Sequence, residues 1–225
     1  MKLMTRKFLM ALYKRKSIPK GWKMMPPDNF PADISEDIFP CPKNIFRALE
    51  LISPACVKFI ILGQDPYYSC TSGIPDATGV AFAINRNSST RRHSLTRLMK
   101  KIYPKGQENP ELTDWVEQRG VLLLNAALTV PAGNVRRAAG VHLRAGIWAK
   151  FVTSIIAQVR DANPEATLIV WGKGTKRVLA DILRNESFVW ADHPCASTTG
   201  NDSFNEFWNS EPGLSLCMIP RHTPE

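Results

Sequence analysis

The chain has 225 residues, 44% of them hydrophobic and 22% charged, the balance of an ordinary globular protein with one domain or two small ones. Twenty-nine Lys plus Arg against 20 Asp plus Glu leave a net charge of +9, which suits a polyanionic partner such as nucleic acid or an anionic membrane surface, simple solubility being the plainer alternative. Five cysteines (Cys41, Cys56, Cys70, Cys195, Cys217) without a C-x-x-C pair argue against a disulfide framework or a thiolate metal cage and for a reducing, cytoplasmic setting, and no apolar run nears the roughly 20 residues that span a bilayer.

Met1 to Arg15 mixes basic residues with Phe8, Leu9, Met10 and Leu12 and predicts an amphipathic surface helix rather than an export signal, since no small-residue cleavage site follows. Residues 16–45 carry Pro19, Pro26, Pro27, Pro31, Pro40 and Pro42 and predict an irregular wrap. A short helix is expected over Asn44–Leu51, then a buried strand over Val57–Leu62 ended by Gly63. Similar apolar strands are expected at Val121–Leu124, Thr167–Trp171 and Ser187–Ala191, and Phe82 also sits in an apolar run that reads as strand. Helices are expected over Ser94–Ile102, Ile147–Val159 and Thr175–Leu183, the last after a tight Gly172-Lys173-Gly174 turn. Short apolar strands alternating with helices predict an α/β fold, a single three-layer domain with a central four-stranded parallel sheet flanked by helices. The expected division is residues 1–36 as N-terminal helix and wrap, and 37–225 as the α/β domain.

In such a sheet, functional groups gather beyond the carboxyl ends of the strands. The first strand runs into Gly63-Gln64-Asp65-Pro66-Tyr67-Tyr68, the second into Asn125-Ala126-Ala127-Leu128-Thr129, the fourth into Asp192-His193-Pro194. Asp65, Asn125 and His193 therefore converge on one rim, and an acid, an amide and an imidazole are the groups that hold water and grip a polar heterocycle. Singly, each has a plainer role: a turn, a strand cap, a satisfied histidine.

These residues carry a family resemblance. GQDPY at 63–67, GVAFA at 79–83, W-x4-GVLLLNAALT at 115–129, I-W-x2-F at 147–151, VWG at 170–172 and HP at 193–194, in that order and spacing, resemble the uracil-DNA glycosylases of the Gly-Gln-Asp-Pro-Tyr type, from about residue 37 onward. The resemblance implies removal of uracil from DNA by hydrolysis of its N-glycosidic bond, without cofactor or metal. It makes Asp65 the carboxylate that acts on water and His193 the donor to uracil O2, which stabilises charge growing there. Gln64, Tyr67, Phe82 and Asn125 are implied to bind the flipped base, with Phe82 stacking, Tyr67 excluding thymine's methyl group and Asn125 reading N3–H and O4. Pro66, Tyr68, Arg91, Arg92, Ser94, Pro194 and Ser197 fall where the family meets DNA.

Two departures stand out. The family's histidine after the tyrosine is Tyr68 here, and the leucine that wedges into the duplex is Ser197. Serine cannot fill the stack left by a flipped base, so single-stranded or mispaired uracil is the expected preference. The implied partners are uracil-containing DNA and a proteinaceous inhibitor that mimics DNA, with no membrane and a monomeric enzyme. A non-catalytic DNA-binding module of the same fold, or a glycosylase for another damaged base, is the alternative.

Overall fold

A computed structural model describes residues 5–15, 21–23, 37–88, 93–103, 109, 111–132, 139–180, 183–184, 186–195 and 203–218. The chain opens with α1 (Arg6–Arg15), then a two-residue strand β1 (Ile38–Phe39), a 3₁₀ turn at Pro42–Asn44 and α2 (Arg47–Glu50). Strand β2 (Phe59–Gly63) leads into a small hairpin, β3 (Cys70–Thr71) and β4 (Ile74–Pro75). Next come α3 (His93–Ile102), α4 (Thr113–Arg119), β5 (Val121–Asn125), β6 (Val130–Pro131), α5 (Val141–Arg144) and α6 (Ala149–Ala162). The chain continues through β7 (Thr167–Trp171), α7 (Lys173–Val178), β8 (Val189–Ala191), α8 (Ser203–Phe207) and α9 (Glu211–Met218).

The main sheet has the order β5-β2-β7-β8, and all its pairings are parallel. Every residue of β2 and of β5 is buried, which explains why both strands read as unbroken apolar runs instead of alternating. Parallel neighbours need long crossovers, and the helices between the strands supply them. In α6, Phe151, Val152, Ile155, Ile156 and Val159 form a buried stripe at helical spacing. Phe151 packs with Trp148 and Phe46 at ring distances of 5.6 Å each. A second aromatic cluster gathers Phe204, Phe207 and Trp208 around Trp171 at the end of β7.

Helix α1 is docked: Leu9 and Tyr13, four residues apart, are buried, and Tyr13 meets the edge of Phe46 at 5.1 Å. Trp22 donates its indole N–H to the Ile52 carbonyl at 2.8 Å. Strand β1 pairs antiparallel with β6 immediately beyond residue 36.

Several boundaries differ from expectation. The Asn44–Leu51 helix is broken into a 3₁₀ turn and the short α2. The last sheet strand begins at Val189 rather than Ser187, because only three residues find partners on β7. Gly172 alone makes the strand-to-helix turn, at φ +104°, so α7 starts at Lys173 with Gly174 inside it. Phe82 does not lie on a strand; it occupies a turn at φ +66°. Its apolar run reflects burial in the core, and burial alone does not distinguish strand from turn.

Candidate active site

The carboxyl ends of β2, β5 and β8 open into one cleft of about 360 Å³, part of it open to solvent. Gln64, Asp65, Pro66, Tyr67, Phe82, Ser94, Asn125 and His193 all line it, with Ala77, Gly79, Val80 and Ala83 completing the wall. The register of the sheet sets Gly63 directly opposite Asn125. Past the strands the two exits stay tied, with Ala126 N–H donating to the Gly63 carbonyl at 2.9 Å and Ala127 N–H to the Gln64 carbonyl at 3.1 Å. Gly63 has a steric reason to be glycine, since a Cβ there would stand 2.7 Å from Asn125 Oδ1 and 3.0 Å from Phe82 Cζ. The missing side chain is what lets the amide and the ring reach the cleft.

Phe82 is held from several sides. Ala81 N–H donates to the Leu123 carbonyl on β5 at 3.1 Å, which pins its turn to the sheet. The Phe82 ring meets Trp171 edge-on at 5.2 Å and lies 5.6 Å from the His193 ring, tilted by 41°. Tyr67 donates its hydroxyl to the Phe82 carbonyl at 3.1 Å and lies 3.0 Å from Ser94 Oγ, so its ring is clamped between the turn and α3. Ser94, the second residue of α3, is buried against Tyr67.

The two titrating groups are shifted in opposite senses by the same cause. Burial pushes the Asp65 carboxyl above the usual aspartate range. Hydrogen bonds from the Gly140 backbone N–H and the Gln64 side chain oppose that shift, as do the charges of Arg144 and His142. Burial pushes the His193 imidazole down to about 4. The ring is therefore neutral at ordinary pH, and its Nδ1 accepts the Cys195 backbone N–H at 3.2 Å. With Nδ1 accepting, the proton sits on Nε2, which becomes a donor.

Pro194, expected at the DNA, is buried, and its carbonyl accepts Arg97 Nη1 at 2.8 Å. Arg97 also lies over the Phe204 ring at 5.2 Å, joining α3, α8 and the His193 segment. Nothing in the sequence motifs pointed to Arg97, because the contact joins residues 97 positions apart. Tyr68 follows Tyr67 as a half-buried residue outside the lining of the cleft. Arg91, Arg92 and Ser197 lie outside the described residues. Arg86 is exposed and sits 3.5 Å from Glu111, a pair that contributes little. Among the described residues no three His, Cys, Asp or Glu side chains gather in a metal-holding arrangement, and no helix is long and apolar enough to cross a membrane.

Residues 50–210 match the family model of the uracil DNA glycosylase superfamily. A curated uracil-DNA glycosylase of Helicobacter pylori is 34% identical over 172 residues, 72% of this chain and 71% of that protein. The solved mimivirus uracil-DNA glycosylase superposes with a TM-score of 0.59 at 26% identity, covering 74% of this chain and 60% of that one. A variant of the mimivirus enzyme solved in complex with UGI aligns similarly, with a TM-score of 0.58 at 26% identity over 72% of this chain and 59% of that one.

Proposed function

The chain belongs to the uracil DNA glycosylase superfamily, and from that premise we propose that its cleft hydrolyses the N-glycosidic bond of uracil in DNA and leaves an abasic site. The single observation that carries this is the meeting of Asp65, Phe82, Asn125 and His193 in one cleft. The target nucleotide leaves the stack, because its reactive bond is out of reach inside it. Phe82 offers its face to the flipped base. Asn125 accepts from N3–H and donates to O4, whereas cytosine presents the reverse pattern and would leave buried groups unpaired. Tyr67, clamped by Phe82 and Ser94, cannot swing aside for a methyl group at C5. Gln64 acts through its main chain.

In the reaction the N1–C1′ bond breaks and its electron pair leaves with uracil as an anion, while C1′ takes on positive charge. His193 Nε2–H donates to O2, where the anion's charge collects, and a preorganised donor of this kind contributes on the order of 3 kcal/mol to lowering the barrier. Asp65 orients a water, stabilises the cationic sugar through its own charge, and takes the proton as the water oxygen bonds to C1′. The Gly140 N–H, the Gln64 side chain and the Arg144 charge favour the ionised carboxylate this role needs.

DNA contact is assigned to Pro66, Tyr68, Arg91, Arg92, Ser94, Pro194 and Ser197 on the same premise, with single-stranded uracil preferred because Ser197 cannot act as a wedge. The enzyme is read as a monomer on the same premise, and a DNA-mimicking protein inhibitor is expected to compete at the same cleft. The setting is intracellular and reducing. Residues 1–36 are read as a helix and wrap around the catalytic domain, and α1 docking through Leu9 and Tyr13 supports that arrangement.

The test is an oligonucleotide with a single uracil beside a hypoxanthine control, each treated with enzyme and then alkali. Strand breaks with uracil alone, lost in Asp65→Asn, are the expected result. Gel-shift binding without breaks would replace this reading with a non-catalytic module.

A further inference from the structure

Beside the catalytic acid, Arg144 has donors that the charge it exerts on Asp65 does not use. Arg144 closes α5, and its side chain folds back over Gly140, where Nη1 would stand 2.6 Å and Cζ 3.5 Å from a Cβ. Gly140, at φ +72°, accepts the Arg144 backbone N–H at 2.9 Å and gives its own N–H to Asp65 Oδ2. The guanidinium thus rests on the very peptide that holds the catalytic carboxylate, and its charge acts on that carboxylate. It is exposed, and no other described residue takes a hydrogen bond or ion pair from it.

Its mounting is firm. His142, two residues earlier and buried, places Nδ1 2.9 Å from Thr129 Oγ1, and that hydroxyl also accepts the Trp148 indole N–H at 2.7 Å. Thr129 and Trp148 come from two of the sequence motifs, so this buried chain ties α5 to the exit of β5 and the start of α6.

We propose that Arg144 binds a backbone phosphate of the damaged strand next to the flipped nucleotide. The inference rests on the glycosylase reading: with C1′ held within reach of a water on Asp65, the two phosphates of the same nucleotide must lie at the mouth of the cleft, on the open side of that carboxylate. A phosphate brought there unescorted would crowd a second negative charge against Asp65. A guanidinium between them removes the repulsion and offers paired N–H donors to phosphate oxygens. The contact carries no sequence information; it sets the register of the sugar over Asp65.

The experiment compares wild type, Arg144→Gln and Arg144→Lys on a single-stranded uracil oligonucleotide across a range of salt, together with inhibition by free uracil, which has no phosphate. In Arg144→Gln, kcat/KM is expected to fall about tenfold at low salt, mostly through KM. Its salt dependence is expected to be shallower by about 0.7 in log–log slope, the share of one phosphate on a single strand. Inhibition by free uracil stays as in wild type, and Arg144→Lys restores the slope with only part of the rate. Parallel salt dependences for wild type and Arg144→Gln would overturn the proposal, as would a loss confined to kcat, which would mean that Arg144 acts only through the charge of Asp65. Absence of uracil release by the wild type would overturn the glycosylase reading itself, and the proposal with it.

Discussion

The floor of the cleft and its rim are held in place by different means. Asp65, Asn125 and His193 follow or end three strands of one parallel sheet, where register fixes each side chain to within the spacing of backbone hydrogen bonds. Phe82 has no strand, yet its turn is hydrogen-bonded to β5 and its ring is walled by Trp171 and His193. Around the rim, Tyr68 and Arg86 belong to connecting segments, and Arg86 meets the partly exposed Glu111 at 3.5 Å. The difference teaches that reading the base and gripping the strand are separable tasks. A change on the floor meets packed neighbours, whereas Tyr68, where the family has a histidine, lies outside the lining of the cleft.

The strongest way to break the comparison is at the floor. Asp65→Asn is expected to lower kcat by about 10³-fold, the scale of a lost general base. The same change raises Tm at neutral pH. A carboxyl whose pKa is higher in the fold than in the unfolded chain costs stability as pH rises from the ordinary aspartate value of about 3.9 through the raised one, and the amide removes that cost. Thermal melts that show Asp65→Asn destabilised at neutral pH would mean that the Gly140 and Gln64 contacts outweigh burial.

His193→Leu is expected to cost about 10²-fold in kcat with the fold intact, since one preorganised donor is lost. The pH–rate profile of the wild type should carry a single acid limb. Rate falls about tenfold per unit as pH drops below the raised value of Asp65, because only the ionised carboxylate accepts the proton of water. No step is expected near 6.5, since His193 stays neutral down to about 4. A second limb near 6.5, separate from that of Asp65, would show a histidine that titrates in the working range and would contradict the buried, neutral donor.

Gly63→Ala adds a methyl group against Asn125 Oδ1 and the Phe82 ring. Overpacking of this kind costs about 1–3 kcal/mol, and kcat/KM on uracil should drop several-fold, with free-uracil affinity dropping in parallel. Equal affinity in wild type and variant would show that the floor yields more easily than its packing suggests. The smallest effect is expected at Ser197, which the family resemblance assigns to the wedge. Ser197→Leu should raise the rate on a U·A duplex a few-fold and leave the rate on single strands unchanged, because only the duplex has a gap to fill. A wild type equally fast on both substrates would remove the reason for the experiment.

Much of the floor was legible before any coordinates. Unbroken apolar runs marked the four strands, and Gln64, Asp65, Asn125 and His193, at or just past the carboxyl ends of three of them, line the cleft. The strand reading failed at Phe82, where burial and turn geometry produce the same apolar pattern as a strand. Helix α4 and the β1–β6 and β3–β4 pairs were missed, being short or dependent on partners far along the chain. Arg97, His142 and Arg144 carried no motif at all. Their positions follow from contacts with Pro194, Thr129 and Gly140, and only the tertiary arrangement brings these together.

By itself, then, the sequence determined the layered α/β architecture, the strand ends and the identity of the acid, amide and imidazole, because hydrophobic periodicity and residue chemistry are local properties. Tertiary structure alone decided the protonation of His193, the backbone N–H aimed at Asp65, the cation lodged over Gly140 and the left-handed turn that presents Phe82. Each of these depends on burial or on distance between remote residues, and neither quantity is set until the sheet has closed around them.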